Sequence, residues 1–426
     1  MRELSVYLEI SGVRTLVGAL RGMSSEDACF TYDEAYLSSP DSKPVSISLP
    51  LRIEPYSPAE TRSFFDGLLP EGFTRRTVSQ WVRADEDDYL TILSCLGNEC
   101  LGAVRISGGE SDDPTPSYER LSFDRIRALA REGATESARL VTEAHLSLTG
   151  ASGKVGLYYD GGTDSWYLPL GTAPSNYIVK QSHIRYDGIV TNEKLCLLTA
   201  SKLGIEVPRN FIIDAGGSGE GDVLFGTERY DRREYSGDTI SGLRRPLRIH
   251  QEDFAQALGI PSAAKYERPG ESYLSRMTDL LRHHSSDPIE DITRLWDMTA
   301  FNWLIGNTDA HIKNYSLLYS EDLSALRLAP AYDMVSTLIY DGASRSMSFN
   351  VGGEYSSDRI TQANWERAAV DAGIGRAMVL DRLSHLTESF KPALLQSAEE
   401  LSLSGFVKAK QMAADILSKG GISHYL

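Results

Sequence analysis

Trp303-Leu304-Ile305-Gly306-Asn307-Thr308-Asp309-Ala310-His311-Ile312-Lys313-Asn314 changes character at a single glycine. Upstream of it, Trp296, Ala300, Trp303 and Leu304 share one helical face, and Leu295, Met298, Phe301 and Ile305 cover much of the remainder. A helix that is apolar nearly all round is a buried one. Gly306 ends it, and the chain turns abruptly polar. A polar loop carried on a buried helix is a rigid mount for chemistry.

Within that loop Asp309 and Asn314 lie five apart, the D-x-x-x-x-N spacing of a phosphoryl-transfer loop. In such a loop the carboxylate takes the proton of the acceptor hydroxyl and the amide holds Mg²⁺. His311 and Lys313 stand between them and can offset phosphate charge, while Asn307-Thr308 replaces the His-Arg of the eukaryotic pattern. Next come Tyr315–Ser320, a turn at Glu321-Asp322-Leu323-Ser324, and Ala325–Ala331, followed by Tyr332-Asp333-Met334: a β-hairpin. Its turn lies midway between Asn314 and Asp333, so folding brings those two to the same open end. With Asp309 they make an oxygen-rich set suited to Mg²⁺ and a triphosphate. Asp333 takes the place of the DFG aspartate, although Met334-Val335 replaces Phe-Gly.

Towards the N-terminus, Ser147-Leu148-Thr149-Gly150-Ala151-Ser152-Gly153-Lys154 reads as strand, small-residue turn and strand. Such a turn brings backbone N–H groups close to phosphate oxygens. It is not a Walker A loop, and taken alone it also fits an ordinary glycine-rich hairpin. In Asn176–Gln181 an apolar strand carries Lys180 near its end; a lysine there either reaches solvent or is paired. Asn192 is a plausible N-cap for a helix running to Leu203 and stopped by Gly204, with Glu193 placed to pair Lys180. Further strands are expected at Leu146–Leu148, Lys154–Tyr159, Trp166–Pro169, Tyr177–Lys180, Asn210–Asp214 and Val223–Tyr230, with a helix at Phe123–Arg131.

From about residue 250 the pattern is helical apart from 306–352, and Ala377–Lys419 shows helical periodicity and closes the helical half. A β-rich half before a helical half predicts an α+β, protein-kinase-like bilobal fold. Its β-rich N-lobe, with the phosphate loop, spans 118–245. The helical C-lobe, with the catalytic loop and metal site, spans 246–426. The Gly-, Pro- and acid-rich segment 108–117 sets off an additional β-rich N-terminal module, 1–107.

The 59 acidic residues exceed the 43 Lys and Arg, and the formal charge of −16 disfavours strong independent binding of DNA or RNA. Cys29, Cys95, Cys100 and Cys196 have no metal or redox spacing and read as reduced thiols. Met1–Leu8 alternates like a strand and no apolar run reaches membrane length, so the expected location is the cytoplasm, without a membrane. Trp81 and Trp365 fit apolar faces and are expected in a core or interface. His283-His284 reads as an exposed helix end.

Several segments resemble the HipA family of bacterial serine/threonine-kinase toxins. Phe64-Phe65-Asp66-Gly67-Leu68-Leu69-Pro70-Glu71-Gly72 is similar to the signature of its N-terminal module, and Leu101-Gly102-Ala103-Val104 to its GAV segment. Ser147–Lys154 is similar to its phosphate loop, with Ser152 in place of the family glutamine and Thr149 an extra hydroxyl. Glu228-Arg229-Tyr230-Asp231-Arg232 resembles its hinge, Gln251-Glu252-Asp253 and Lys265-Tyr266-Glu267 its QED and KYE pair, and Thr308–Asn314 its catalytic loop.

The resemblance implies that Asp309 is the proton acceptor and that Asn314 and Asp333 are metal ligands. It implies ATP contacts from Thr149, Gly150, Ala151, Ser152, Gly153, Lys154, Lys180, Glu228, Arg229, Tyr230, His311, Ile312, Lys313 and Asn314, and Tyr332 adjoins Asp333 in the same site. Ser147 would be an autophosphorylation site whose modification switches the enzyme off. The implied partners are a small helix-turn-helix antitoxin (HipB-like), DNA only through that antitoxin, and a protein substrate of the aminoacyl-tRNA synthetase class. Two other readings stay open on the residues alone: a small-molecule phosphotransferase, and a pseudokinase kept as a binding module for antitoxin and DNA.

Overall fold

The computed structural model describes residues 2–108, 114–144, 153–182, 186–216, 222–234 and 237–424. The chain divides into two compact units. The first comprises Met1–His183, Ile213–Ser262 and Leu318–Ala325; the second comprises Ile184–Ile212, Ala263–Leu317 and Leu326–Leu426.

In the first unit, β1 (Arg2–Ile10), β2 (Val13–Gly22), β3 (Cys29–Tyr32) and β4 (Val104–Ser107) form one antiparallel sheet in the order β3-β2-β1-β4. The helix Pro58–Phe65 starts with a Ser57/Glu60 capping box and Pro58 in its first turn, which fixes its entry. It delivers Phe64 and Phe65, both fully buried, against Phe30 of β3, whose ring centroid is 5.2 Å from that of Phe65. Burying each such ring stabilises the module by about 1.5–3 kcal/mol, which is the physical content of the Phe64–Gly72 signature.

The second sheet contains β5 (Ser117–Arg120), β6 (Lys154–Asp160), β7 (Ser165–Leu170), β8 (Tyr177–Gln181) and β9 (Val223–Glu228), ordered β5-β7-β6-β8-β9, with a sixth strand, Asn210–Asp214, beside β9. The strands from Lys154 onward and the helix Phe123–Glu132 lie where the sequence places them, whereas β5 begins at Ser117, inside the segment read as a linker, and was not expected. The strand expected at Leu146–Leu148 falls outside the described residues. So do Ser147, Thr149, Gly150, Ala151 and Ser152 of the phosphate loop.

The second unit is mainly helical: Ile189–Lys202, Tyr273–His284, Pro288–Ile305, Gln362–Asp371, Arg376–Leu403 and Lys408–Lys419. One sequence expectation needs correction. The helix expected to be capped by Asn192 begins four residues earlier, behind Gly188, and Asn192 sits fully buried inside it. Its amide is spent on Ser336, donating to the carbonyl at 2.9 Å and accepting the N–H at 3.1 Å, so it is an anchor and not a cap. Of the two tryptophans expected in a core or interface, Trp365 is buried and Trp81 is 50% exposed, outside the core. The periodic C-terminal stretch forms two helices, separated where Gly405 adopts φ +101°. Gly204 stops the Ile189–Lys202 helix as expected, in the left-handed region at φ +81°, and all four cysteines are free thiols.

Candidate active site

The mount is the Pro288–Ile305 helix. Asp287 caps it, Pro288 opens it, and Gly306 closes it at φ +70°, where a Cβ would collide with Leu338. Trp303 is fully buried and donates from Nε1 to the Ser357 carbonyl at 2.9 Å. On the same helix, fully buried Asp291 accepts from the Arg327 guanidinium and from the Leu328 N–H at 2.9 Å. The returning strand of the hairpin is therefore tied to the helix that carries the loop.

The hairpin forms as expected, from β10 (Ser316–Tyr319) and β11 (Leu326–Leu328). Its turn closes through Ser320 N–H to the Ala325 carbonyl at 2.9 Å, and its open end through Ala329 N–H to the Ser316 carbonyl at 2.9 Å. At that open end one side chain gathers the loop. Asn307 donates to Asn302 Oδ1 at 2.9 Å and to the Asp333 carbonyl at 3.3 Å, and its Oδ1 accepts the Asp309 N–H at 3.2 Å. Asn314 donates from Nδ2 to the Asp309 carbonyl at 3.0 Å. Tyr332 Oη donates to the Lys313 carbonyl at 2.8 Å and lies 2.6 Å from Ser316 Oγ. Asp309, Asn314 and Asp333 thus belong to one hydrogen-bonded assembly, and the Asn307 that replaces the eukaryotic His-Arg pair is its hub.

Burial sorts the loop. Ala310, His311, Ile312 and Lys313 are buried, and so are Ala331 and Met334 around Asp333. Asp309 is exposed, and Asn314 and Asp333, like Thr308 and Tyr332, are half-buried. Asp333 also adopts φ +56°, a left-handed conformation held here by a non-glycine residue. Aspartate tolerates that region better than most residues, yet such strain persists only where its surroundings hold it, and it concentrates at functional sites. Among the described residues no group of three or more His, Cys, Asp or Glu converges as a metal cage. A carboxylate and an amide still fit Mg²⁺, which takes its remaining oxygens from phosphates and water.

A residue to which the sequence reading gave no role also reaches this site. Tyr266 Oη donates to Asp309 Oδ1 at 2.6 Å, and its ring meets His311 edge-on at 5.4 Å. The neighbouring Glu267 fixes the segment by accepting from the Tyr273 N–H, the Asn350 N–H at 3.0 Å and Tyr355 Oη at 2.8 Å. The Lys265-Tyr266-Glu267 match was the available signal.

In the first unit, Lys154 on β6 is the direct cross-strand partner of Lys180 on β8, and Phe225 on β9 is the next in that row. Directly paired residues project from the same face, so two ammonium groups share one side of the sheet, an unfavourable pairing unless anions lie nearby. Lys180 is buried, with Nζ 5.7 Å from the Phe225 ring centroid. A Cβ on Gly153 would run into the Gln181 side-chain amide, so a larger residue where the loop enters β6 would have to displace that amide. Glu193, expected to pair Lys180, is buried on the Ile189–Lys202 helix of the second unit.

The expectation for Arg229 fails for its side chain. The guanidinium is completely buried and committed to Asp231 at 2.7 Å, Ser175 Oγ at 2.9 Å, the Cys100 carbonyl at 3.1 Å and Glu99 at 3.2 Å. Burial alone would raise the Glu99 pKa, but Arg232, Arg248 and Arg229 hold it well below the usual carboxylate range. Gly102 completes this cluster: its N–H donates to Asp231 at 2.7 Å, and a Cβ there would strike the Gln251 backbone. Glu228 and Tyr230 flank the cluster half-buried, Tyr230 donating to Gln251.

Two family descriptions match the chain: HipA N-terminal domain over residues 8–107 and HipA-like C-terminal domain over residues 146–394. The chain belongs to the HipA family. Among its relatives, "Putative kinase Y4mE" of Sinorhizobium fredii is 31% identical, covering 91% of this chain and 90% of its own length. "Serine/threonine-protein kinase toxin HipA" of Shewanella oneidensis is 29% identical over 78% of this chain and 76% of that protein. The solved complex of Shewanella oneidensis HipA with HipB and operator DNA has a chain that matches with a TM-score of 0.77 at 21% identity, covering 98% of this chain and 97% of that one. The α+β, kinase-like fold expected from the sequence is therefore the HipA fold. Among the described residues no helix is long and apolar enough to cross a membrane.

Proposed function

We propose that this chain is an ATP- and Mg²⁺-dependent serine/threonine-protein kinase of a toxin–antitoxin pair. Asp309 accepts the proton of the substrate hydroxyl, Asn314 and Asp333 hold Mg²⁺, and Lys154 and Lys180 bind phosphate oxygens, with Glu193 as the countercharge to Lys180. His311, Ile312, Lys313 and Tyr332 shape the nucleotide end of the same loop, and the phosphate loop Thr149–Gly153 contributes its amides. Glu228 and Tyr230 contact the nucleotide. Asn314 and Asp333 would hold Mg²⁺, which would supply charge stabilisation to the transferred phosphoryl group. The observation that carries this reading is the assembly of Asp309, Asn314 and left-handed Asp333 around Asn307.

Membership of the HipA family supports the finer assignments. The acceptor is a translation enzyme of the aminoacyl-tRNA synthetase class. Ser147 is the autophosphorylation site that inactivates the enzyme, and the setting is the cytoplasm. A HipB-like helix-turn-helix antitoxin carries the chain to DNA, as the HipB-containing complex of the Shewanella relative suggests. The −16 charge fits a chain that does not bind DNA strongly alone.

One experiment tests the reading. Full-length protein is incubated with labelled Mg·ATP and a bacterial lysate, beside Asp309→Asn. Label should appear on a protein and on Ser147 with the native chain only. Label confined to small molecules, or equal labelling by Asp309→Asn, refutes it.

A further inference from the structure

The stretch that carries Asp333 has no ladder of its own. Residues 331–337 form no helix or strand, and among the described residues Met334, Val335 and Ser336 take part in no backbone-to-backbone hydrogen bond. The chain is fastened on either side of them. The Ala331 N–H donates to the Glu206 carbonyl at 2.8 Å, and the Thr337 N–H to the Gly306 carbonyl at 3.1 Å. Between those points a side chain supplies the bonds. Asn192, fully buried on the Ile189–Lys202 helix, takes both backbone groups of Ser336, donating to the carbonyl at 2.9 Å and accepting the N–H at 3.1 Å. It also donates to Tyr340 Oη at 3.2 Å and accepts from the Cys196 thiol at 3.4 Å. Both its N–H groups and both acceptor positions are thereby used.

Helix stability does not account for this residue. Asparagine is a weak helix former because its amide competes for backbone groups, and burying that amide is costly unless every polar atom is bonded. Its amide pairs with Ser336 as a neighbouring peptide group would. The Ser336 hydroxyl is buried and has no hydrogen-bond partner among the described residues, so the hold is on the backbone and not on the side chain. Asp333 stands three residues upstream at φ +56°, its carbonyl bonded to Asn307 at 3.3 Å. A left-handed aspartate persists only where its surroundings over-determine it. Asn307 fixes one side of it and Asn192 the other, all within the second unit.

We propose that Asn192 is a positioning residue for the metal site: by clamping the backbone of Ser336 it sets the direction of the Asp333 carboxylate. Because Glu193 is the next residue, the same clamp ties the helix that carries Glu193 to the stretch that carries Asp333. The inference rests on the Mg²⁺ role proposed for Asp333.

Mg²⁺ is titrated, with a non-hydrolysable ATP analogue present, into full-length native protein, Asp333→Asn, Asn192→Leu and the double variant. The quantity read is the Mg²⁺ concentration for half-maximal nucleotide binding, beside nucleotide binding in EDTA. Asn192→Leu should raise that concentration about fivefold, the effect of one lost hydrogen bond, and leave binding in EDTA unchanged. In the Asp333→Asn background it should add nothing, because it acts through that carboxylate, whereas an independent structural effect would add. Asn192→Ser, too short to span both groups of Ser336, should behave as leucine does and takes its place if the leucine variant does not melt cooperatively. A native Mg²⁺ response in both Asn192 variants, an equal loss in EDTA, or additive losses in the double variant overturns the proposal. If neither variant folds, Asn192 serves stability and the proposal falls. Native binding indifferent to Mg²⁺ or to Asp333→Asn overturns the metal reading, and the clamp with it.

Discussion

Glu252→Gln should make the first unit more stable at pH 8 and turn a nearly flat pH dependence into one that rises with pH. Glu252 is buried, accepting from Ser46, from the Ile47 N–H at 3.1 Å and from Tyr319. Burial pushes its pKa up from 4.5 to about 7, more than those three bonds lower it. Between those values the folded chain holds a proton that the unfolded chain has released, so stability is lost as pH rises through the window. The whole effect is about 3 kcal/mol at 1.36 kcal/mol per unit. His250, two residues away and bonded to the Val45 carbonyl, is pushed by burial the other way, from 6.5 to about 4. There the unfolded chain binds the extra proton, so stability rises with pH across that window by a similar ~3 kcal/mol. The two slopes oppose each other from about pH 4.5 to 6.5, and the native chain should be nearly flat there. Glutamine removes one slope and exposes the other. The assay is the hydrogen-exchange protection of the Ile47 amide from pH 4 to 8, which reads this site even if the whole chain does not unfold in one step. Parallel profiles for native and Glu252→Gln protein, or a variant profile that falls between pH 4.5 and 6.5, would refute the reasoning.

Asp333→Ala should weaken Mg·ATP binding about tenfold or more, and more than Asn314→Ala, because a carboxylate offers a hard cation a full charge and an amide only a dipole. Alanine at φ +56° adds strain of about 1 kcal/mol, so Asp333→Asn isolates the charge; titration calorimetry ranks the three. Tyr266→Phe removes the hydroxyl that orients Asp309 and should lower kcat about tenfold, equivalent to ~1.4 kcal/mol, with KM for ATP unchanged. A rise in kcat would mean that the tyrosine obstructs the carboxylate instead.

The loop and hairpin were legible because their information is local. An all-apolar helix, a glycine stop and a hairpin with its turn midway between two oxygen donors need no knowledge of distant residues. The strands from Lys154 to Glu228 were legible through alternation for the same reason. Other features depend on partners remote in sequence. Asn192 looked like a cap because a polar residue before an apolar run usually is one, but Ser336, 144 residues on, claims its amide inside the helix. Arg229 was expected at the nucleotide only through the resemblance of its motif to the family hinge, and its partners Glu99, Cys100 and Ser175 lie far upstream. Tyr266 stands 43 residues before the carboxylate it touches.

The family motifs therefore divide into two physical kinds. Leu101–Val104, Arg229–Arg232 and Gln251–Asp253 meet in the buried charge cluster and the Ser46–Glu252–Tyr319 knot, where their polar groups are tied to one another. Breaking one side of such a buried pair typically costs ~3–5 kcal/mol, a structural reason for Arg229, Asp231 and Arg232 that stands beside the nucleotide role proposed for Glu228 and Tyr230. Thr308–Asn314 with Asp333 is the opposite case. Its apolar and basic residues are buried, its oxygen donors are exposed or half-buried, and its backbone is strained at one of them. Stability alone would favour relaxing Asp333, and the surroundings hold it in place: Asn307 at its carbonyl, and Asn192 bonded to Ser336 three residues on. Strain held by its neighbours at a half-buried carboxylate is the cost of fixing that group in place, and it is the feature on which the proposed Mg²⁺ role of Asp333 rests.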